Sequence, residues 1–239
     1  MHDYSPKLRK MQQVTKRKGW RIWLLSLAAM LMAFNLSAQV TVEIGTGTNS
    51  ASFPFYTLYE DGRTQIIYDA SEILAGGGMA GDITAIAFNL ISTTSYPMNG
   101  FNIDMQNYSG STLSGMITTG WTNVYSGSYT VPAAGWQTIT LQTPFAWDGT
   151  SNLLINICFD NSSWSGSSPV NSTAVSGKTW WQYGDGGAGC SYTGGSAQTN
   201  RPNIRLTIAP PPVVTVECQV GTGTTAVGYP FYTFYMDSR

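Results

Sequence analysis

The sequence predicts an all-β fold for residues 39–208, an antiparallel two-sheet β-sandwich of the jelly-roll type. Apolar residues recur at every second position in most segments, as in strands that bury one face. Clusters rich in Gly, Asn and Pro separate these segments, and such residues favour tight turns. Strand and helix patterns do not alternate, as they would in a parallel α/β fold.

The alternation assigns the strands in chain order. We expect the following buried faces: Val40, Val42 and Ile44; Ile86, Phe88 and Leu90 in a strand from Ile83; Phe101, Ile103 and Met105; Ile139 and Leu141; Leu153, Ile155, Ile157 and Phe159; Ile204, Leu206 and Ile208. Turns are expected at residues 96–100, 147–150 and 184–187. One short helix is predicted at residues 71–75, with Ser71 as its N-cap and Gly76 as its stop. About nine or ten strands in roughly 170 residues favour a jelly roll over an immunoglobulin fold, which needs only about 100.

A basic segment and an apolar run open the chain. Residues 16–21 are mostly basic, residues 22–34 are apolar, and small residues lead to Ala38. This order predicts a signal peptide in residues 1–38, cleaved after Ala38. A transmembrane anchor is the alternative, but it needs about 20 apolar residues. With a start at Met1 or at Met11, we expect recognition by the export machinery, no transmembrane anchor in this part, and a secreted or cell-surface protein.

Removal of the leader changes the charge of the chain. The whole sequence has a formal charge of −1, but five basic and twelve acidic residues follow Ala38, a charge of −7. Nucleic-acid binders need clustered Lys and Arg, so we expect no nucleic-acid partner. The only histidine, His2, lies in the leader. The exported chain therefore lacks any His-dependent catalytic arrangement or metal site, and we expect no catalytic residue, metal or cofactor.

One enzymatic alternative stays open, because a glycosidase needs only two carboxylates. No spacing singles out a pair among the acidic residues Glu43, Glu60, Asp61, Glu72 and Asp160.

The three cysteines fit an exported chain. Cys158 and Cys190 lie 32 residues apart, and we predict a disulfide between them, with two free buried thiols as the alternative. No CxxC spacing points to zinc. Cys218 stands in a separate segment, where it either pairs with a residue beyond this sequence or is free.

An internal repeat divides the chain. Residues 45–63 recur as residues 221–239, with eleven of nineteen aligned positions identical at an offset of 176. A proline-rich linker, residues 209–213, separates the copies and favours an extended spacer. Residues 214–239 are too few to bury a core. We therefore expect one complete module at residues 39–208 and the truncated start of a second, in a fragment of a longer tandem protein.

Several motifs occur together within residues 40–208. They are Gly45-Thr46-Gly47-Thr48, Pro54-Phe55-Tyr56, Arg63 with Gln65 and Tyr68, Ser71-Glu72-Ile73, Trp147-Asp148-Gly149, Asn152-Leu153-Leu154, Cys158-Phe159-Asp160-Asn161 and residues 199–205. Together they resemble a module of large exported surface proteins of the Bacteroidota. The resemblance implies an adhesin-like, multidomain protein exported by type IX secretion, and it assigns no catalytic residue.

Aromatic residues provide the candidate ligand site, made of Trp164, Trp181 and Tyr183. On a strand, Trp181 and Tyr183 share one face and Trp180 takes the other. If they lie on the outer face, they form a flat apolar platform that stacks on sugar rings. The alternative is that they fill the core or pack on the disulfide. Tyr56 and Tyr59 recur at Tyr232 and Tyr235, which fits a structural role as easily as a binding one. The glycine-rich loop that follows, residues 184–189, has one carboxylate, too few for a calcium loop.

These observations favour a non-enzymatic surface module, repeated in tandem, that serves adhesion by binding a glycan or another ligand on a host or cell surface. A structural spacer is one alternative. An accessory domain of a secreted hydrolase, encoded in sequence beyond this chain, is another.

Overall fold

The computed structural model describes residues 39–211. The predicted signal peptide, the end of the linker, Cys218 and the predicted second copy at residues 214–239 lie outside the described residues. The described part contains eleven strands, one α-helix and one 3₁₀ turn. They are β1 (Val40–Ile44), β2 (Asn49–Ala51), β3 (Asp61–Tyr68), α1 (Ala70–Ala75), β4 (Gly81–Leu90), β5 (Pro97–Tyr108), β6 (Thr122–Thr130), β7 (Gly135–Trp147), β8 (Asn152–Asp160), β9 (Val170–Gly184), the 3₁₀ turn (Gly189–Ser191), β10 (Ser196–Pro202) and β11 (Ile204–Ala209).

The strands form a two-sheet sandwich in which the described strand pairs are antiparallel. The first sheet has the order β1-β11-β4-β7, and the second has the order β3-β8-β5-β6. Eight strands in two such sheets, with the chain passing between them, are the arrangement of a jelly roll. The predicted fold class is therefore confirmed. Strand β9 extends the second sheet beyond β3, carries β2 and β10, and touches the first sheet through one residue pair, Leu90 with Val170.

The core lies between the inner faces of the two sheets. The predicted apolar positions of β1, β4, β5, β7, β8 and β11 are buried there, which confirms the alternation in the sequence. Phe55, in the segment between β2 and β3, packs its ring against Phe88 of β4 and Phe101 of β5, at centroid distances of 5.5 Å and 6.4 Å. This ring is buried at the open edge between the sheets, so it fixes the position of the segment that contains it.

Strands β3 and β8 are buried on both faces, which the alternation did not predict. All eight residues of β3 are buried, and β8 is buried from Leu153 to Phe159. The segment between β5 and β6 covers their outer face. There Leu113 packs with Ile67 of β3 and Leu154 of β8, and Trp180 of β9 packs against them. The assignment of β8 as half-buried is therefore wrong, because a segment distant in sequence forms a third layer.

The disulfide between Cys158 and Cys190 is present, as predicted. It joins β8 to the 3₁₀ turn and holds the loop after β9 against the outer face of the second sheet. Gly189 permits this approach, since a Cβ there would lie 2.1 Å from the backbone oxygen of Phe159. The disulfide and the close approach at Gly189 therefore hold the loop against β8.

Three local predictions need correction. Helix α1 begins one residue earlier than expected, and its N-cap is Asp69 rather than Ser71. Asp69 is the N-cap because it forms a capping box with Glu72, whose carboxylate accepts a hydrogen bond from the Asp69 N–H at 3.2 Å. Residues 97–100 belong to β5 and not to a turn, since Gly100 lies at a bulge with φ of +55°. Ala209, assigned to the linker, pairs with Asp82 as the last residue of β11.

A buried ion pair connects β10 to α1. The Arg201 guanidinium is almost fully buried and donates to both carboxylate oxygens of Glu72, at 2.7 Å and 2.6 Å. It also lies 5.0 Å from the ring centre of Tyr68. Burial opposes the charge of Glu72, but the hydrogen bonds and charge of Arg201 outweigh it and lower the pKa of Glu72.

We expect Glu72→Ala to lower the free energy of unfolding by about 2 kcal/mol, because it leaves a buried guanidinium unpaired; partial exposure of Glu72 keeps the loss below that of a fully buried pair. Glu43→Ala, which breaks the exposed pair between Glu43 and Arg205, is the control and should cost less than about 1 kcal/mol. Urea denaturation measures both.

The pH dependence of the wild type provides a second test of this pair. The pKa of Glu72 is lower in the folded chain, so its stabilisation is present above the ordinary glutamate pKa and is lost as the pH falls through the lowered value. The difference between wild type and Glu72→Ala should therefore shrink in acid. Equal losses for Glu72→Ala and Glu43→Ala at neutral pH would contradict this account of the pair.

Candidate functional site

Two of the three predicted site residues lie side by side on β9. Trp181 and Tyr183 share the face of the second sheet that points to the core, with ring centroids 4.6 Å apart. Trp180 points to the opposite face, where its indole N–H donates to the Gly194 backbone oxygen at 2.9 Å. The predicted division of these three side chains between the two faces is therefore confirmed.

Two tyrosines from the segment between β2 and β3 complete a group of four rings. We call Tyr56, Tyr59, Trp181 and Tyr183 the aromatic cluster. Tyr59 lies 4.5 Å from Tyr183, and Tyr56 lies 5.2 Å from both Trp181 and Tyr183, all between ring centroids. Contacts at these distances stabilise aromatic pairs beyond the burial of their area. The four rings therefore form one continuous surface where the core ends.

The tyrosine segment is positioned by the core and by its backbone. Phe53 packs edge-on against Trp181 at 5.0 Å, and Phe55 is buried between the sheets. The Thr57 hydroxyl donates to the Gly166 backbone oxygen at 2.6 Å, and the Ser165 N–H donates to the Thr57 oxygen at 2.7 Å. Buried aromatics that precede Tyr56 and hydrogen bonds at Thr57, which follows it, thus hold the tyrosines against β9.

The exposure of the rings differs within the cluster. Tyr183 is exposed by 39%, whereas Tyr56, Tyr59 and Trp181 are half-buried. The planes of the contacting rings are inclined by 41° to 83°, so the cluster is a faceted surface and not the flat platform that we expected. Trp181 packs against the core, so the two rings of β9 lie on the core-facing side of the sheet and not on its outer face. A ligand would reach Tyr183 first.

Trp164, the third predicted residue, lies on the loop between β8 and β9 and is exposed by 64%. Among the described residues, its ring pairs with no other aromatic ring. The next residue, Ser165, is the one that bonds to Thr57. The structure therefore brings the Trp164 loop to the tyrosine segment, while the indole stands apart from the four rings.

Carboxylates border the aromatic cluster. Glu60 follows Tyr59, and Asp185 lies two residues after Tyr183. The two loops exchange hydrogen bonds here: the Glu60 N–H donates to Asp185 Oδ1 at 3.1 Å, and the Gly186 N–H donates to Glu60 Oε2 at 2.9 Å. We call Glu60, Asp61, Asp160 and Asp185 the acidic border.

Asp61 is the buried member of the acidic border, with an exposed fraction of 1%. Its Oδ2 accepts hydrogen bonds from the Gly187 N–H at 2.7 Å and from the Tyr192 hydroxyl at 3.4 Å, but its Oδ1 has no partner among the described residues. Burial raises the pKa of Asp61; the Gly187 N–H opposes the rise, and the neighbouring Asp160 carboxyl adds to it. Within residues 39–211, no group of three or more Asp, Glu, His and Cys side chains is arranged to hold a metal ion.

Comparisons with known proteins gave no match to the chain. No protein-family model, no curated protein and no solved structure matches it. The resemblance to a surface module of the Bacteroidota therefore stays a prediction.

Helix α1 has six residues, and no helix in the described part of the chain has the length and apolar character of a membrane span.

The sequence analysis did not place Tyr56 and Tyr59 in the site. The signal that could have found them is their recurrence at Tyr232 and Tyr235, in a segment that also repeats Pro54 at Pro230. Recurrence alone did not reveal which strand they would meet, because their contact with β9 joins positions more than 120 residues apart.

We expect Asp61→Asn to stabilise the protein at pH 7 and to raise its Tm by a few degrees, because it removes a buried charge whose Oδ1 has no partner. The amide oxygen can still accept the Gly187 N–H. The pKa of Asp61 is raised in the folded chain, so the wild type loses stability as the pH rises from the ordinary aspartate pKa through the raised value.

The gain from Asp61→Asn should therefore shrink as the pH falls towards 4, as thermal unfolding at several pH values would show. Asp82→Asn, which removes a charge at the start of β4, serves as the control and should have little effect on the Tm. A lower Tm for Asp61→Asn at pH 7 would contradict the assignment of an unfavourable charge to this position.

Proposed function

We propose that residues 39–211 form a non-enzymatic, exported surface module that binds glycans through the aromatic cluster. The observation that carries this proposal is the continuous surface of four rings, with Tyr183 exposed by 39%. The face of an aromatic ring is electron-rich and attracts the C–H groups on the apolar face of a sugar. Tyr183 offers such a face, and Trp164 offers a second on an adjoining loop.

Several features support an extracellular location. The disulfide between Cys158 and Cys190 is of the kind that persists in oxidising compartments. The basic and apolar segments before Ala38 have the order of a signal peptide. A secreted or surface-displayed module has access to glycans, as the proposed ligand requires.

Three of the five candidate carboxylates, Asp61, Glu43 and Glu72, are poorly placed for glycoside hydrolysis. Asp61 and Asp160 face each other on β3 and β8, but Asp61 is buried and bonded to the loop backbone at Gly187. Glu43 and Glu72 are engaged in ion pairs with arginines. A catalytic carboxyl must reach the glycosidic bond, so these contacts support binding without hydrolysis.

The position of the chain ends favours ligand binding over a spacer. Val40 of β1 pairs with Ile208 of β11, so the chain enters and leaves the module side by side. Modules that extend a fibre pass the chain from one end to the other. Ala209 lies beside the start of β4, and β4 pairs there with Trp147, just before β8 begins. The aromatic cluster lies at the other end of the sandwich, where β8 ends. The cluster is thus at the end opposite the points where the chain enters and leaves the module.

The proposal is tested by glycan-array binding of the exported chain and of Tyr183→Ala. We expect hits on the array whose affinity falls roughly tenfold in the variant, because a stacked ring contributes on the order of 1–2 kcal/mol. Tyr183 is a sharper target than Trp181, since Trp181 also packs on Phe53 and its loss would disturb the fold.

Trp136→Ala is the control for the loss of an aromatic ring. Trp136 is a half-buried ring of the first sheet, under the guanidinium of Arg205 at 4.1 Å, and it should not affect binding. Trp164→Ala tests whether the neighbouring loop adds a second stacking position. An array without hits would defeat the proposed function, and so would hits that Tyr183→Ala leaves unchanged.

A further inference from the structure

We infer that the aromatic cluster prefers glycans with free, protonated amines, that is, amino sugars, over neutral and acidic glycans. This inference rests on the proposed function and specifies the class of sugar. It follows from three observations: the basic residues near the cluster are all committed to internal contacts, the acidic residues near it are not neutralised, and the exposed ring stands beside those acids.

The first observation concerns Arg63, which follows the tyrosines of the cluster on β3. Its side chain is buried on the outer face of β3. Its Nε donates to Asn156 Oδ1 at 2.7 Å, and its Nη1 and Nη2 donate to the backbone oxygens of Tyr192 at 2.7 Å and Ile117 at 3.2 Å. Each of its three nitrogens is held by a hydrogen bond, and the side chain is on the face of the sheet opposite the rings.

The other three basic residues between positions 39 and 211 are held in ion pairs. The pairs are Lys178 with Asp69, Arg201 with Glu72, and Arg205 with Glu43. A site for a uronic acid or a sulfated sugar needs a free guanidinium or ammonium group. The described module has none to offer at the cluster, so binding of an acidic glycan there would be opposed by the local charge.

The second observation is that no basic side chain of the described module neutralises the acidic border. None of its four carboxylates takes part in an ion pair among the described residues. Asp61 and Asp160 face each other across the β3–β8 ladder on the outer face, on the other side of the sheet from the rings, and the buried Asp61 Oδ1 lacks a hydrogen-bond donor among the described residues. The donors that reach Glu60 and Asp185 are neutral backbone N–H groups. The potential at this end of the sandwich is therefore negative.

The third observation is the placement of the ring and the acids together. Gly184 separates Tyr183 from Asp185, and the Asp185 carboxylate is bonded to the backbone of Glu60, next to Tyr59. A ligand that stacks on Tyr183 would lie beside the loop contact that carries both carboxylates. An amino sugar satisfies the whole surface, because its C–H face stacks on the ring and its ammonium group is attracted by the ring face and by the carboxylates.

The test compares β-1,4-linked hexamers of glucosamine, N-acetylglucosamine, glucose and a uronic acid. Isothermal titration of the exported chain at pH 5.5 keeps the amine protonated. We expect the glucosamine hexamer to bind about three- to tenfold more tightly than the two neutral hexamers, and the uronic acid hexamer to bind most weakly. The preference should decrease as the salt concentration rises, since exposed charges are screened.

Variants then locate the preference. Glu60→Gln with Asp185→Asn removes two charges but keeps the carbonyl oxygens that accept the loop N–H groups. We expect this double variant to bind the glucosamine and glucose hexamers equally, with unchanged affinity for the neutral one. Asp82→Asn, remote from the cluster, should keep the preference. Tyr183→Ala should weaken all hexamers.

The outcomes separate the inference from the function that it specifies. Equal binding of the charged and neutral hexamers would overturn the preference and leave glycan binding intact. A preference that survives in Tyr183→Ala, or in the double variant, would assign it to the overall acidity of the chain and overturn the site. Absence of binding by all four hexamers and by the glycan array would remove the proposed function and the inference together.

Discussion

The hydrogen bonds of the buried Arg63 guanidinium join the second sheet to the two segments that cover its outer face. One side chain on β3 reaches Asn156 on β8, the backbone before β6 at Ile117 and the backbone after the 3₁₀ turn at Tyr192. Gln65 adds two bonds to the same Ile117 backbone, as donor at 2.8 Å and as acceptor at 2.8 Å. Burial lowers the pKa of Arg63, and these hydrogen bonds compensate for the water that its guanidinium loses. Without them, the segments that cover β3 and β8 would lose their polar anchor.

The same anchor explains which parts of the fold the sequence could predict. The inner faces of β5 and β11 follow from local alternation, because each strand shows its own pattern. The outer faces of β3 and β8 are decided by a segment some 50 residues away, whose contacts leave no local pattern. The aromatic cluster divides in the same way. Trp181 and Tyr183 share a face by strand geometry, whereas Tyr56 and Tyr59 reach them only through the closure of the sandwich.

Small polar side chains, rather than ion pairs, secure most of the loops. Asp148 accepts the N–H groups of Thr150 and Ser151 at 2.8 Å and 2.7 Å, and this closes the predicted turn before β8. The Asn203 side-chain amide donates to the Gly47 backbone oxygen at 2.8 Å and so joins the loop after β1 to the residue before β11. Loops held in this way need no lysine or arginine. The four basic residues between positions 39 and 211 are all held in other internal contacts, so none of them pairs with the acidic border.

The sequence repeat affects how such a site would work in a longer chain. Tyr56, Tyr59 and Asp61 recur as Tyr232, Tyr235 and Asp237, but Glu60 is replaced by Met236. A second module of the same fold would keep the tyrosines and lose one acidic neighbour, so the two sites would share a ligand class and differ in their preference for charge. Linked sites raise the local concentration of each other's ligand, which turns weak single contacts into firm attachment when both reach the same polymer. Under the proposed function, weak stacking in each module would then be enough for adhesion, because avidity comes from the linked sites together.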